Sequence, residues 1–283
     1  MDVRAPSPAP FAQTVKRLAL RIGPALALLA VSIVVVIAGS WGFTLWVAIF
    51  GVLMAREWYA IAYRGVDAPS FPAHLACLFM VLIAVTLGYP VFALAVVVLG
   101  AATAALITAR ARLNAMWSVL GVLYTIAPLG ALVWLRGNAK MPVMTVLWLL
   151  STVWATDTAA LIAGRLIGGP PLAPKVSPKK TWAGLAGGTL AAAGIGWGTG
   201  CLDATLSSPA LALLSAILAV VSQLGDLTES AFKRRFGVKD SSQLIPGQGG
   251  VLDRVDGLVF ATLVVMALAL AWGGSVLSVG GHS

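Results

Sequence analysis

Residues 90–108 read Pro90-Val-Phe-Ala-Leu-Ala-Val-Val-Val-Leu-Gly-Ala-Ala-Thr-Ala-Ala-Leu-Ile-Thr108, nineteen positions without a charged side chain. As a helix this run is about 28 Å long, close to the ~30 Å hydrocarbon thickness of a bilayer. Similar runs fall near 22–38, 41–55, 71–87, 117–135, 142–163, 182–201, 209–224 and 255–277. They predict an all-α, polytopic integral membrane protein with nine spans. The second run is short, and the eighth has room to continue as a helix beyond the bilayer. Gly39–Ser40, Gly88–Tyr89 and Asp203–Ser208 read as tight turns between spans.

Composition points the same way. The 283 residues are 59% hydrophobic and 10% charged, where a soluble domain carries about 25% charged residues. Polar groups on that scale cannot cover the apolar surface, so lipid must solvate most of the chain. The net charge of +9 is explained by the positive-inside bias rather than by nucleic-acid binding. With the N-terminus in the cytoplasm, seventeen of the nineteen Lys and Arg residues fall on the cytoplasmic side, leaving Arg136 and Lys140 outside. The C-terminus then lies outside. Residues 1–15 read as a disordered tail, and the run that follows as a retained first helix rather than a cleaved signal. Cys77 and Cys201 offer neither a disulfide framework nor a metal spacing, and His74 and His282 are isolated.

The chain divides into residues 16–140, with spans one to five, and residues 141–283, with spans six to nine and the long cytoplasmic loops 164–181 and 225–254. The second half carries the chemistry. Residues 225–257 hold five of the ten acids and five of the nineteen basic residues. Asp226, Glu229, Ser230 and Lys233 share one face of a helix continuing from the eighth span, and Asp253 and Asp256 share a face where the ninth begins. Pro246-Gly-Gln-Gly-Gly250 is flexible enough to bring backbone N–H groups to a phosphate, though such a cluster is often only a turn. Asp157 lies about 10 Å inside the end of the sixth span, where a carboxylate costs on the order of 2.5–3.5 kcal/mol and calls for a partner. That partner is either a functional cation or, more blandly, Arg165. Ser177, Lys179, Lys180 and Thr181 precede the seventh helix, whose N-terminus they turn into an anion site or a basic anchor to lipid headgroups. Gly184, Gly187 and Gly188 read as close helix packing. Carboxylates suit a hard cation such as Mg²⁺, and Lys and Arg suit phosphate oxygens. From residue chemistry alone, this is a membrane enzyme acting on phosphates.

The 27 residues from Ser230 to Asp256 closely resemble the signature of phosphatidate cytidylyltransferases. In that signature a Ser-x-x-Lys-Arg opening, here Ser230 to Arg234, leads to Lys-Asp, here Lys239-Asp240. It closes on His-Gly-Gly-x-x-Asp-Arg-x-Asp, here Gln248-Gly249-Gly250-Val-Leu-Asp253-Arg254-Val-Asp256. Trp154-Ala-Thr-Asp157-Thr-Ala, Ser177-Pro-Lys179-Lys180-Thr and Gln223-Leu-Gly-Asp226 are similar to the family's other patterns, in the same order. Gln248 stands where the family usually has His. The resemblance implies CTP and phosphatidic acid as substrates, membrane lipid as surroundings, and CDP-diacylglycerol and pyrophosphate as products. It also implies an inner-membrane site facing the cytoplasm, and leaves room for a homodimer.

On the same basis Asp226 and Asp253 are the expected principal ligands of Mg²⁺, with Asp256 and Asp157 next and a second cation plausible. Lys233, Arg234 and Lys239 are expected to grip phosphates, Ser177, Lys179, Lys180 and Ser230 to complete the polar wall, Gln248, Gly249 and Gly250 to face the substrate, and Arg254 to hold the neighbouring acids. The alternatives are a related lipid-phosphate enzyme, of the CDP-archaeol synthase or polyprenol kinase type, and a transporter of a phosphorylated solute. Transporters often show paired repeats, and this sequence shows none.

Overall fold

Proline marks the helix starts. Pro90 and Pro142 open two helices, and two more helices carry proline in the first turn, where its missing N–H would have no intrahelical partner in any case. The computed structural model describes residues 30–64, 68–244, 249–274 and 276–278. After a helical stretch at 30–38 come α1 (Ser40–Tyr63), α2 (Phe71–Thr86), α3 (Pro90–Arg110), α4 (Ala115–Asn138), α5 (Pro142–Leu166), α6 (Trp182–Gly200), α7 (Ser208–Arg235) and α8 (Leu252–Ala271). Six of these, α1, α3, α4, α5, α7 and α8, are long and apolar enough to cross a membrane. The chain is an all-α polytopic membrane protein.

The eight spans expected from residue 41 onward each coincide with a helix, and α7 runs on to Arg235 as its sequence suggested. Of the expected first span only residues 30–38 are described; the N-terminal tail lies outside the described residues. α4 widens into a π-helical turn at Val122–Ile126. Pro128 follows, and its ring would otherwise press on the carbonyl of Tyr124.

α6 is short of apolar bulk because glycines occupy both its packing faces. A Cβ on Gly188 would stand 2.8 Å from the Thr156 carbonyl oxygen of α5, and one on Gly196 would collide with the Leu211 carbonyl of α7. Backbone therefore packs on backbone through α5, α6 and α7. The Trp148 indole N–H adds a 2.9 Å hydrogen bond to Ser215, from α5 to α7.

The connections alternate between two ends. At one end Lys140 N–H reaches the Gly274 carbonyl and Arg136 Nε reaches the Val36 carbonyl at 2.7 Å. At the other, Tyr63 reaches Asn114, Trp117 packs on Phe236, and Arg234 reaches Val176. The second end gathers the connections that follow α1, α3, α5 and α7, so most of the positive charge lies together. One expectation needs correction: the 164–181 segment is not only loop. Pro171–Ala173 (β1) pairs antiparallel with Ser177–Thr181 (β2). Thr181 then caps α6, its Oγ1 accepting from Gly184 N–H at 3.0 Å.

Gly196→Val should cost about 1–3 kcal/mol by forcing α6 off α7. Gly194, with open space at its Cβ position, should accept alanine with no loss. Thermal unfolding of the detergent-solubilised variants checks both.

Candidate active site where α7 meets α8

Gly225 and Gly257 let α7 and α8 cross closely. A Cβ on Gly225 would stand 2.5 Å from the Asp256 carbonyl oxygen, and one on Gly257 would collide with the Ser222 hydroxyl. Asp226 and Asp256 are the chain neighbours of these glycines, so the crossing itself brings the two acids together. Asp256 is buried, and its side chain accepts from the Gly257 N–H at 2.8 Å. The charges of Asp226, Glu229 and Asp157 all act on it.

Lys180, at the end of β2, forms an ion pair with Asp226 and donates to Gln223 Oε1 at 3.0 Å. Gln223 in turn donates to Asp157 Oδ1 at 3.4 Å. One chain of polar contacts thus joins the hairpin, α7 and α5. Ser230 lies 3.5 Å from Asp226 Oδ1. Asp157 does not pair with Arg165 among the described residues. It opens with Thr158 and Arg254 onto a cavity of about 400 Å³ whose remaining wall is largely apolar, including Trp46, Phe50, Met54, Leu129 and Leu258.

Two turns beyond Asp226, Lys233 places its Nζ 2.5 Å from both Glu229 Oε2 and Asp253 Oδ1. Asp253 Oδ2 also accepts from the Gly250 N–H at 2.8 Å and from the Ser241 N–H and hydroxyl, each at 3.0 Å. Asp253, expected as a principal metal ligand, and Lys233, expected to grip phosphate, are therefore bonded to one another, and Asp253 also to Ser241 and Gly250. Arg234 donates to the carbonyls of Val238 at 3.0 Å and Val176 at 3.4 Å, tying the end of α7 to the hairpin. Lys179 and Lys239 are exposed, and Ser177 sits half-buried in β2. Gln248 lies outside the described residues. Gly249 has a φ of 86°, a conformation that favours glycine.

Glu57 of α1 was not anticipated. Its carboxylate accepts from the N–H groups of Val251 and Leu252 at 2.9 and 2.8 Å and from the hydroxyls of Ser241 and Ser242 at 2.9 and 2.6 Å. It is the only acid of α1 and lies two residues past the apolar run at 41–55, so it reads as a flanking charge in sequence. Tyr124, in the π-helical turn, was also missed. Its buried hydroxyl has no hydrogen-bond partner among the described residues and lies under the charge of Asp256, Glu229, Asp226 and Asp253.

Among the described residues no three acid, imidazole or thiol groups are gathered as a ready metal cluster. The donors at the crossing are nevertheless all carboxylates, which fits a hard cation. Glu229 Oε1 is buried without a hydrogen-bond partner among the described residues.

A helical membrane protein that collects carboxylates and ammonium groups around one helix crossing, above an apolar cavity, has the make-up of an integral-membrane enzyme of phosphate esters. The profile of the cytidylyltransferase family matches residues 19–272, and the chain belongs to that family. It is 38% identical over 245 residues to the phosphatidate cytidylyltransferase of Brucella suis biovar 1 (strain 1330), covering 87% of this chain and 90% of that one. It is 48% identical over 120 residues to that of Haemophilus influenzae (strain ATCC 51907 / DSM 11121 / KW20 / Rd), 41% of this chain and 42% of that one. Against that of Rickettsia bellii (strain RML369-C) the identity is 38% over 165 residues, 53% of this chain and 68% of that one.

Lys233→Met would leave Glu229 and Asp253 facing each other without a cation, at a cost of about 3–5 kcal/mol. Lys233→Arg should retain most of the stability. Thermal unfolding in detergent measures both.

Proposed function

We propose that this cytidylyltransferase acts on phosphatidic acid and CTP, giving CDP-diacylglycerol and pyrophosphate at the cytoplasmic face of the inner membrane. The observation that carries the reading is the cavity: apolar along most of its wall and ending at Asp157, Thr158 and Arg254. A diacyl lipid seated there sets its phosphate beside the α7–α8 crossing. The name of the Brucella relative, similar over most of both chains, supports the same substrate.

In the reaction a phosphatidate oxygen forms a bond to the α-phosphorus of CTP, and the bond from that phosphorus to the β-bridging oxygen breaks in line. The nucleophile needs no strong base, because the second pKa of a phosphate monoester is near 6. Gln248, which cannot titrate near neutral pH, is then sufficient to orient a phosphate. Asp226 and Asp256 would hold Mg²⁺, with Asp157 beside them, and the ion would neutralise the triphosphate and the leaving pyrophosphate. Asp253, held by Lys233, Ser241 and Gly250, keeps the approach to the crossing in shape. Lys180 moves its ammonium between Asp226 and substrate phosphate, and Arg254 faces the lipid phosphate. Lys179, Lys239 and Arg234 supply the exposed positive field that draws CTP from the cytoplasm.

The test uses detergent-purified protein with phosphatidic acid, α-labelled CTP and Mg²⁺. Label should pass into the lipid phase and stop with EDTA. Asp226→Asn should lower the rate at least about 100-fold, as expected when a group that stabilises developing charge is lost. Full activity in folded Asp226→Asn would overturn the metal assignment, and labelled product from another lipid but not phosphatidic acid would overturn the substrate. Orientation has its own check. Cys201 is exposed at the end opposite the site, so an impermeant thiol reagent should reach it from outside the cell. Lys179→Cys in a Cys201→Ser background should react only from the cytoplasmic side.

A further inference from the structure

Glu57 is 4% exposed, and its four hydrogen bonds all go to one segment of the other half of the chain. Oε1 takes the Val251 N–H and the Ser242 hydroxyl; Oε2 takes the Leu252 N–H and the Ser241 hydroxyl. A helix start leaves N–H groups without intrahelical acceptors and carries partial positive charge, so a carboxylate there is doubly favoured. Here the acceptor comes not from a neighbouring residue but from a helix nearly two hundred positions earlier in the chain. Val251 and Leu252 are themselves buried, so no water stands ready to replace it.

The contacts continue into the site. The Ser241 hydroxyl is within 3.0 Å of both Glu57 Oε2 and Asp253 Oδ2. Having one proton, it donates to one of them at a time, and this links the two carboxylates. A Cβ on Gly250 would collide with Ser241 and Glu57, so the segment seats against Glu57 with no room to spare. Asp253 and Asp256 stand in the first turns of the helix whose start is fixed in this way.

We infer that Glu57 is a positioning residue for the proposed cytidylyl transfer: it touches no substrate, but it sets the start of α8 and through it Asp253 and Asp256. The inference rests on the function proposed above. It makes α1, otherwise a generic membrane helix, part of the machinery.

Glu57→Gln is the test, because it keeps size and removes charge and one acceptor. Without substrate or metal, amide exchange of Val251 and Leu252 should accelerate while the centres of α3 and α4 exchange as in the parent. With CTP, phosphatidic acid and Mg²⁺, kcat should fall about 10- to 100-fold, the range for groups that orient a site from outside it. The Mg²⁺ concentration for half-activation should rise, and KM for phosphatidic acid should stay put. Glu57→Asp should recover part of the loss. Unchanged exchange at Val251 and Leu252, or unchanged kcat and Mg²⁺ dependence, would overturn the inference. So would faster exchange in every helix with normal turnover per folded molecule, since that marks a purely structural residue. If Glu57→Gln does not fold, Ser242→Ala removes one donor and keeps the charge; it should shift Mg²⁺ half-activation in the same direction by a smaller factor, and no shift would overturn the inference. Failure of the parent protein to transfer label would sink the proposed function instead, and the exchange result would still report whether Glu57 holds α8.

Discussion

One ammonium group, that of Lys233, is shared by Glu229 on its own helix and Asp253 on the next. In a protein solvated by lipid, an unpaired buried charge costs several kcal/mol, and each carboxylate near the hydrocarbon needs an internal answer. Lys233 answers two at once and thereby fastens the end of α7 to the start of α8. The glycines at 225 and 257 set the distance between the same helices from below, with Asp226 and Asp256 as their neighbours. The crossing is therefore held by charge above and backbone contact below, and the site is what lies between.

The first half of the chain is tied to this crossing by aromatic and polar contacts of a different kind. Trp58 stacks on Phe232 with centroids 4.0 Å apart and planes 7° apart, and on Tyr124 at 5.3 Å. Its indole N–H donates to the Trp117 carbonyl at 2.8 Å, and Trp117 packs edge-on against Phe236. Trp58 follows Glu57 directly in α1. The same turn of helix therefore packs its ring on α7 and sends its carboxylate to α8. Aromatic stacking adds about 0.5–1.5 kcal/mol per pair beyond burial, while the carboxylate supplies direction. A shift of α1 could not leave either helix unmoved.

What was legible in the sequence follows from the range of each signal. The helices were legible because a membrane span must satisfy its backbone internally and be apolar on most faces, which leaves a run of fixed length. Asp226, Glu229, Ser230 and Lys233 were legible as one helical face because their spacing is local. The β1–β2 hairpin was not, because strands of three and five residues are too short for alternation to show among prolines and lysines. The Glu57 contacts span up to 195 positions, and nothing local marks them. The bonding of Lys233 to Asp253 was hidden for a related reason: both carry charge suited to phosphate chemistry, and only the fold reveals that they neutralise each other first.

That mutual neutralisation bears on how a polyanion enters. With Lys233 committed to Glu229 and Asp253, and Lys180 on Asp226, Arg254 is the cation that lines the cavity with Asp157 among the described residues. Under the function proposed here, CTP approaches carboxylates of its own sign, and at an effective dielectric near 20 two unit charges 4 Å apart repel by about 4 kcal/mol. Asp226, Asp256 and Asp157 could hold a divalent cation arriving with the nucleotide, which would reverse that sign where the acids converge. Asp226, if it held such a cation, would give up Lys180, whose ammonium could then meet a phosphate oxygen. On that proposal, carboxylates placed on a polyanion's path would be not an obstacle but the means by which only the metal-bound nucleotide is accepted.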